Sequence, residues 1–485
     1  MPRLRLAALL VLAASPAGAG ATAQPPLRYR AALRAPGDSL LQISLTLPAP
    51  LARGVDFVMP NAVPMGYGAN PYDRFVVGLA GITPAGARLV PEDIDGPRWR
   101  FPSGPEAPLA AIHYAVNLAA MDREILSAGD ASRVRPRFVG LLGYATFGYV
   151  EGTQFSPAEV RLVVPAGWPA FTTLASGVRT DSVTAAATGF YHLADAQYLG
   201  GPDLRLLTPA APVPLTVAVY AEGAFDTDTL AVLAARALRA TTDYFGSAPF
   251  PRYTVSFESL RPVSPAHGYR FSMEHLESAT FRFEAGATRM NGDARTRFYY
   301  NLLHHIAHAW IPKRCAPAGY YPFVWDDPVP IDGIWFSEGW AQYLAADMLA
   351  RDPAFGPTAA RALIAFRFDA ATDSAPPIAG RTVPELSRIA AFRYSDDFRL
   401  SAHVFSRGAL MAAAIDERIR SRTGGRQDLR GVARALLTWC AQSSAPVTEV
   451  TLNRLVAETT GVDVADLIDA GLAARGTRPG DRPRP

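Results

Sequence analysis

The chain has 485 residues, 49% of them hydrophobic and 19% charged, with a formal net charge of +3. That length gives room for about two to four domains and a sizeable core, and the balance is that of an ordered globular protein. So small a net charge excludes the basic footprint of a nucleic-acid or anionic-membrane binder.

Residues 1–23 read as a secretory signal: Arg3 and Arg5 form a basic start, Leu6 to Ala14 an apolar run, and Ala21-Thr22-Ala23 a small-x-small cleavage site before Gln24. The apolar run is shorter than the roughly 20 residues a membrane span needs, and no later run is longer. No cysteine stands at the cleavage point. The expectation is a secreted or periplasmic protein with no integral membrane segment after cleavage. Residues 24–222 carry a period of two, as in Leu41, Ile43, Leu45 and Leu47, then Ile112, Tyr114, Val116 and Leu118, then Val160, Leu162 and Val164, and last Leu215, Val217 and Val219. Pro and Gly punctuate them, which predicts an all-β domain.

At Asp226 the period changes. Leu230, Leu233, Leu238 and Tyr244 predict a helix stopped by Gly246, and Tyr253–Phe257 predicts a strand. Residues 223–352 read as a second domain of strands and helices, and residues 353–475 as helical, for example Val404–Arg420 and Leu429–Cys440. The Pro-, Gly- and Arg-rich residues 476–485 are expected to be a disordered tail. An exported compartment permits a Cys315–Cys440 disulfide, but the sequence does not show how far apart the two lie.

Three of the eight histidines fall in His304-His305-Ile306-Ala307-His308. Tyr299, Leu303, Ile306 and Trp310 give this segment a helical stripe, which Pro312 should end. His304 and His308, at i and i+4, share one face and can reach one metal ion. Further on comes Trp335-Phe336-Ser337-Glu338-Gly339-Trp340, read as a helix start with Ser337 as N-cap and Glu338 in the first turn, running on through Leu344 and Met348. Glu338 would complete three protein ligands for Zn²⁺ and leave a fourth position open. The same residues also fit plain helix packing and a first-turn glutamate favoured by the helix dipole. In the HExxH form of the motif the second residue is the glutamate that takes a proton from water. Here it is His305.

These segments resemble the glycyl aminopeptidase family of gluzincin zinc peptidases. The 29 residues from 309 to 337 match its long gap between the second histidine and the glutamate of W-[FV]-S-E-G-F. His308 to Pro317 is similar to its H-L-W-N-V-K-R-x-x-P, and the chain's single lysine, Lys313, falls on that K. Phe245-Gly246 through Tyr253 is similar to F-G-x-x-P-F-x-x-Y, and Phe271-Ser272-Met273-Glu274-His275 resembles G-G-L-E-H. Phe405-Ser406-Arg407-Gly408 with Asp416 and Arg420 resembles Y-x-K-G…L-D…I-R, and Met59 to Phe75 looks like the family's N-terminal P-x-W-x-P-G-S-Y region. The resemblance spans nearly the whole mature chain and lacks only the C-terminal PDZ module of many members.

The resemblance implies an α+β multidomain protein: an N-terminal all-β domain, a thermolysin-like catalytic domain and a C-terminal α-helical domain. It implies zinc on His304, His308 and Glu338, and peptides or peptide N-termini as partners. Glu274 would hold the substrate ammonium, beside Ser272 and Met273. Two catalytic positions depart from the family, His305 for the glutamate base and Phe405 for the oxyanion tyrosine. The expectation is therefore a zinc-binding but hydrolytically impaired homologue. The alternatives are an aminopeptidase using His305 as an unconventional base, and a scaffold with no metal.

Overall fold

Alternating apolar side chains build the first half of the molecule. In the strand Leu40–Leu51, Leu41, Ile43, Leu45 and Leu47 are buried, while Gln42, Ser44 and Thr46 are more open. The computed structural model describes residues 25–125, 131–265, 267–286, 291–368, 378–394 and 397–475, so the expected signal segment and tail lie outside the described residues. A seven-stranded sheet is centred on Leu27–Ala32, Leu40–Leu51 and Leu109–Asn117. Five- and four-stranded sheets complete this β region. Leu118, read as the end of a strand, instead opens the short helix Leu118–Glu124, capped by the Asn117 side chain.

The last two strands of the period-two stretch belong elsewhere. Arg205–Leu207 (β1) and Leu215–Ala221 (β2) join Tyr253–Leu260 (β3), Arg270–Glu274 (β4) and Ser278–Glu284 (β5) in a mixed sheet of order β1-β2-β3-β5-β4. β2 and β3 run parallel, which requires a crossover, and the helix Thr227–Phe245 (α1) supplies it. α1 is bounded as its sequence reads: the Asp226 side chain accepts from Thr229 N, and left-handed Gly246 closes the other end. Among the described residues β4 pairs only with β5, at the edge of this sheet.

Gly292–Ala307 (α2) packs against α1 and carries the histidines. After a connection comes a π-helical turn, Trp335–Trp340, running into Ala341–Arg351 (α3). Then follow Gly356–Phe368 (α4), Val383–Arg393 (α5), Phe398–Thr423 (α6), Leu429–Gln442 (α7), Glu449–Thr460 (α8) and Ala465–Ala473 (α9). The described residues are thus β-rich first, with a few short helices such as Leu118–Glu124 and Phe190–Ala194, mixed in the centre and helical last. Among the described residues no helix is long and apolar enough to cross a membrane.

Two features tie the parts together. Between the β region and the central sheet, Arg133 contacts Glu258 and lies 3.3 Å from Asp122, while Arg135 lies 2.6 Å from Asp122 and 2.7 Å from Glu222. Arg133, Asp122 and Glu258 are all buried. Buried charges this close hold only because each has an opposite partner. Cys315 and Cys440 form a disulfide with Cα atoms 5.4 Å apart. It joins the segment after α2 to α7, answering the question the sequence left open.

Candidate metal and peptide site

α2 ends earlier than Pro312 predicts. Its last residue is Ala307, with His308 as C-cap. His308 Nδ1 lies 2.9 Å from the Ile311 carbonyl, which can only accept, so Nδ1 carries a proton and Nε2 is the nitrogen left to serve a metal. That Nε2 lies 3.1 Å from His304 Nε2. Glu338 Oε2 is 3.5 Å from His304 Nε2 and 3.4 Å from His308 Nε2. A tetrahedral ion with bonds of about 2.0–2.1 Å has ligand atoms about 3.3–3.4 Å apart, which is the size of this triangle. The three side chains therefore fit Zn²⁺ by chemistry and by spacing. The electrostatics agree. Burial works against a charged His308, but the Glu274 and Glu338 carboxylates more than offset it and raise the imidazole to about 9. Burial and the neighbouring His308 push His304 down to about 3. Burial opposes ionisation of Glu338 too, yet His308 and His304 hold its carboxyl well below the usual range. The two carboxylates thus favour positive charge at His308, while His304 stays neutral.

Glu338 does not follow an N-cap. The helix begins before it, so Ser337 lies inside the π-helical turn, and its hydroxyl is 2.6 Å from the Tyr320 hydroxyl. Such wide turns gather at functional sites. Two glycines set its height. A Cβ on Gly408 of α6 would stand 1.9 Å from the Trp335 carbonyl oxygen, and one on Gly339 would stand 2.5 Å from Gly408 Cα. The glycines of the two motifs, far apart in sequence, meet so that α6 and the Glu338 turn touch backbone to backbone.

His305 and Glu274 face each other. His305 Nδ1 is 2.8 Å from Glu274 Oε2, and both are buried. Burial would raise Glu274, but His308 and His305 hold it below its ordinary range. An ionised carboxylate only accepts, so His305 donates from Nδ1. Glu274 is thus not the solvated edge glutamate that the sequence also permitted. One position along β4 on the same face, Ser272 Oγ accepts from Asn301 Nδ2 at 3.4 Å. Lys313 explains how α2 and β4 keep this alignment. Its buried ammonium is 3.0 Å from Asp195, whose other oxygen accepts from Leu276 N just beyond β4. Arg314 adds bonds to the carbonyls of Ala309 and Leu276.

A cavity of about 430 Å³ gathers these groups, lined among others by Ser272, Met273, Glu274, His304, His305, Glu338 and Phe405. Every candidate site residue read from the sequence lines this cavity except His308, which is fully buried 3.1 Å from His304 and 3.4 Å from Glu338. Phe405 presents a ring with no hydroxyl, 6.4 Å from the rings of both Tyr67 and Tyr394. Tyr67, Tyr394 and Gln342 also line the cavity and were not singled out. Tyr67 comes from the loop within Met59 to Phe75, which the family resemblance and its crowding of Pro and Gly both mark, though neither picks out Tyr67 itself.

Two models of one family match the chain, the peptidase M61 N-terminal domain over residues 28–198 and the M61 glycyl aminopeptidase domain over residues 298–399. The chain belongs to the M61 glycyl aminopeptidase family. The second M61 segment contains both histidines and Glu338, and the first contains Tyr67. Among solved structures, an aminopeptidase N family protein from Idiomarina loihiensis matches with a TM-score of 0.80 at 19% identity, over 93% of this chain and 77% of that one. An M1 zinc metallopeptidase from Deinococcus radiodurans matches with a TM-score of 0.56 at 16% identity, over 95% and 96%. A mutant of that enzyme bound to a Tyr-Ser-Ala substrate matches with a TM-score of 0.55 at 18% identity, over the same shares. At these identities the likeness to the M61 chain is one of fold. No curated protein matches the sequence.

Proposed function

We propose that this M61 chain is an exported, zinc-binding peptidase homologue whose cleft takes peptides and whose hydrolytic machinery is impaired. The observation that carries the reading is the 2.8 Å bond between His305 and Glu274. In the family resemblance these positions belong to the base and to the group holding the substrate ammonium. Here each is the other's partner. Zn²⁺ held by His304, His308 and Glu338 would polarise a bound carbonyl and acidify a water in the fourth position. Loss of a general base costs typically about 10²–10⁴ in rate. Loss of one oxyanion donor, the hydroxyl Phe405 lacks, costs about 10²–10³. The two losses act on one step and do not simply multiply.

The same bond favours one alternative. A histidine that donates Nδ1–H to a carboxylate is held in the tautomer whose Nε2 accepts a proton, as in orienting carboxylate–histidine pairs. On this reading Glu274 would serve His305 rather than the substrate. Both readings agree that Glu274 is no longer free to select a peptide N-terminus.

Peptide binding by the zinc-loaded protein tests this. Calorimetric titration should show a short peptide and its N-acetylated form binding within about threefold of each other, since little more than 0.6 kcal/mol then rests on the ammonium. A preference of tenfold or more for the free amine would overturn it. Export rests on the basic start, apolar run and cleavage site of residues 1–23. Fractionation of expressing cells should recover a mature chain beginning at Gln24, and an uncleaved chain in the cytoplasm would contradict it.

A further inference from the structure

We infer that Tyr67, delivered by the N-terminal β region, is a positioning residue for the metal ligand Glu338. The inference rests on the proposal that His304, His308 and Glu338 bind the metal. The two oxygens of Glu338 have different tasks. Oε2 faces both histidine Nε2 atoms, and Oε1 accepts from the Tyr67 hydroxyl at 3.0 Å. Behind Tyr67 stands a chain of hydroxyls. Tyr320 lies 2.7 Å from Tyr67, and Ser337 lies 2.6 Å from Tyr320. The three short contacts form one chain when Ser337 donates to Tyr320, Tyr320 to Tyr67, and Tyr67 to Glu338, which leaves the longer 3.4 Å approaches of Ser337 to the Gly333 and Ile334 carbonyls without a proton. Such a one-way chain polarises each bond in turn and strengthens the last.

A second, independent observation is the backbone. Met65 and Tyr67 both hold positive φ angles, 72° and 44°, on either side of Gly66. Non-glycine residues in this region are strained and persist where the surroundings over-determine them. The loop is held from outside, since Asn61 N and Ala62 N both donate to the Trp325 carbonyl. The conformation aims the Tyr67 ring inward, where it is buried and lines the cavity beside Phe405. With Oε1 engaged, Glu338 offers one oxygen to a metal rather than two. The centre is therefore built from both family segments, and the β region is part of it.

Tyr67→Phe removes one hydroxyl and no packing volume to speak of. Mutation of such an outer partner typically lowers metal affinity about 10–100-fold, and chelator competition with Zn²⁺ should show a loss of that size. In the Co²⁺-loaded full chain the visible absorption should weaken and shift as Glu338 turns toward two-oxygen ligation. Tyr320→Phe leaves the Tyr67–Glu338 bond in place and should cost less than Tyr67→Phe. Equal Zn²⁺ affinity and equal Co²⁺ spectra for Tyr67→Phe and wild type would overturn the role of Tyr67 alone. A wild type that binds neither ion would overturn both this inference and the metal reading beneath it.

Discussion

Restoring hydrolysis is the most informative perturbation, and the structure says what it will cost. His305→Glu would return the proton shuttle of the motif, but it places a second carboxylate against Glu274, which now accepts from His305 at 2.8 Å. Two charges about 4 Å apart interact by about 4 kcal/mol at an effective dielectric of 20, or about three pKa units. The pair should then share one proton near neutrality. The single variant should have a lower thermal midpoint than wild type when metal-free, and Zn²⁺ should recover most of the difference. Bound substrate ammonium should relieve the same repulsion, because Glu274 is released from His305. Phe405→Tyr returns the hydroxyl to the cavity wall. Assayed with glycyl and alanyl chromogenic substrates, the zinc-loaded double variant should exceed wild type by at least about 10², the lower end for regaining a base. Adding Glu338→Ala should abolish the gain. A zinc-loaded double variant no faster than wild type would refute the claim that these two side chains are what hydrolysis lacks.

Other outcomes follow from the packing. Gly408→Ala would push α6 off the Glu338 turn, where its Cβ would stand 1.9 Å from the Trp335 oxygen. It should lower the thermal midpoint and weaken Zn²⁺ binding together, and a full-affinity, full-stability variant would contradict the backbone contact. Replacing Cys315 and Cys440 by serine opens a link spanning 125 residues and should cost up to about 4–5 kcal/mol in denaturant unfolding. Acid should destabilise the fold through the carboxylates of the buried networks. Burial opposes their ionisation, but Arg133 and Arg135 hold Asp122 below its ordinary range, Arg282 and Arg133 do so for Glu258, and Lys313 and His275 for Asp195. A depressed folded pKa stabilises above the unfolded value of about 4 and is lost as pH falls through the folded one. The thermal midpoint should therefore fall steadily below about pH 4, and Asp122→Asn should flatten that fall.

The parts of this molecule that could be read in sequence are those governed by local rules. Asp226 and Gly246 marked both ends of α1 because capping and left-handed closure depend on neighbouring residues. The i, i+4 histidines announced a shared face for the same reason. What could not be read depends on contacts between distant segments. Ser337 has the chemistry of an N-cap, but its hydroxyl is taken by Tyr320 inside a turn that had already begun. His305 and Glu274 were each singled out, yet their pairing needs β4 laid against α2. β2 has the alternation of the N-terminal strands, and only its parallel pairing with β3 assigns it to the central sheet. Tyr67 lies 271 residues from the Glu338 it bonds, and no spacing rule reaches that far.

The measurement that bears most directly on the account is metal content and aminopeptidase turnover on one purified sample of the mature chain. It should carry about one Zn²⁺ per chain, lost in His308→Ala and Glu338→Ala without loss of secondary structure. Its turnover of glycyl and alanyl substrates should not rise above buffer. Turnover that climbs in proportion to bound zinc and disappears in His305→Ala would contradict the account and make His305 a working base.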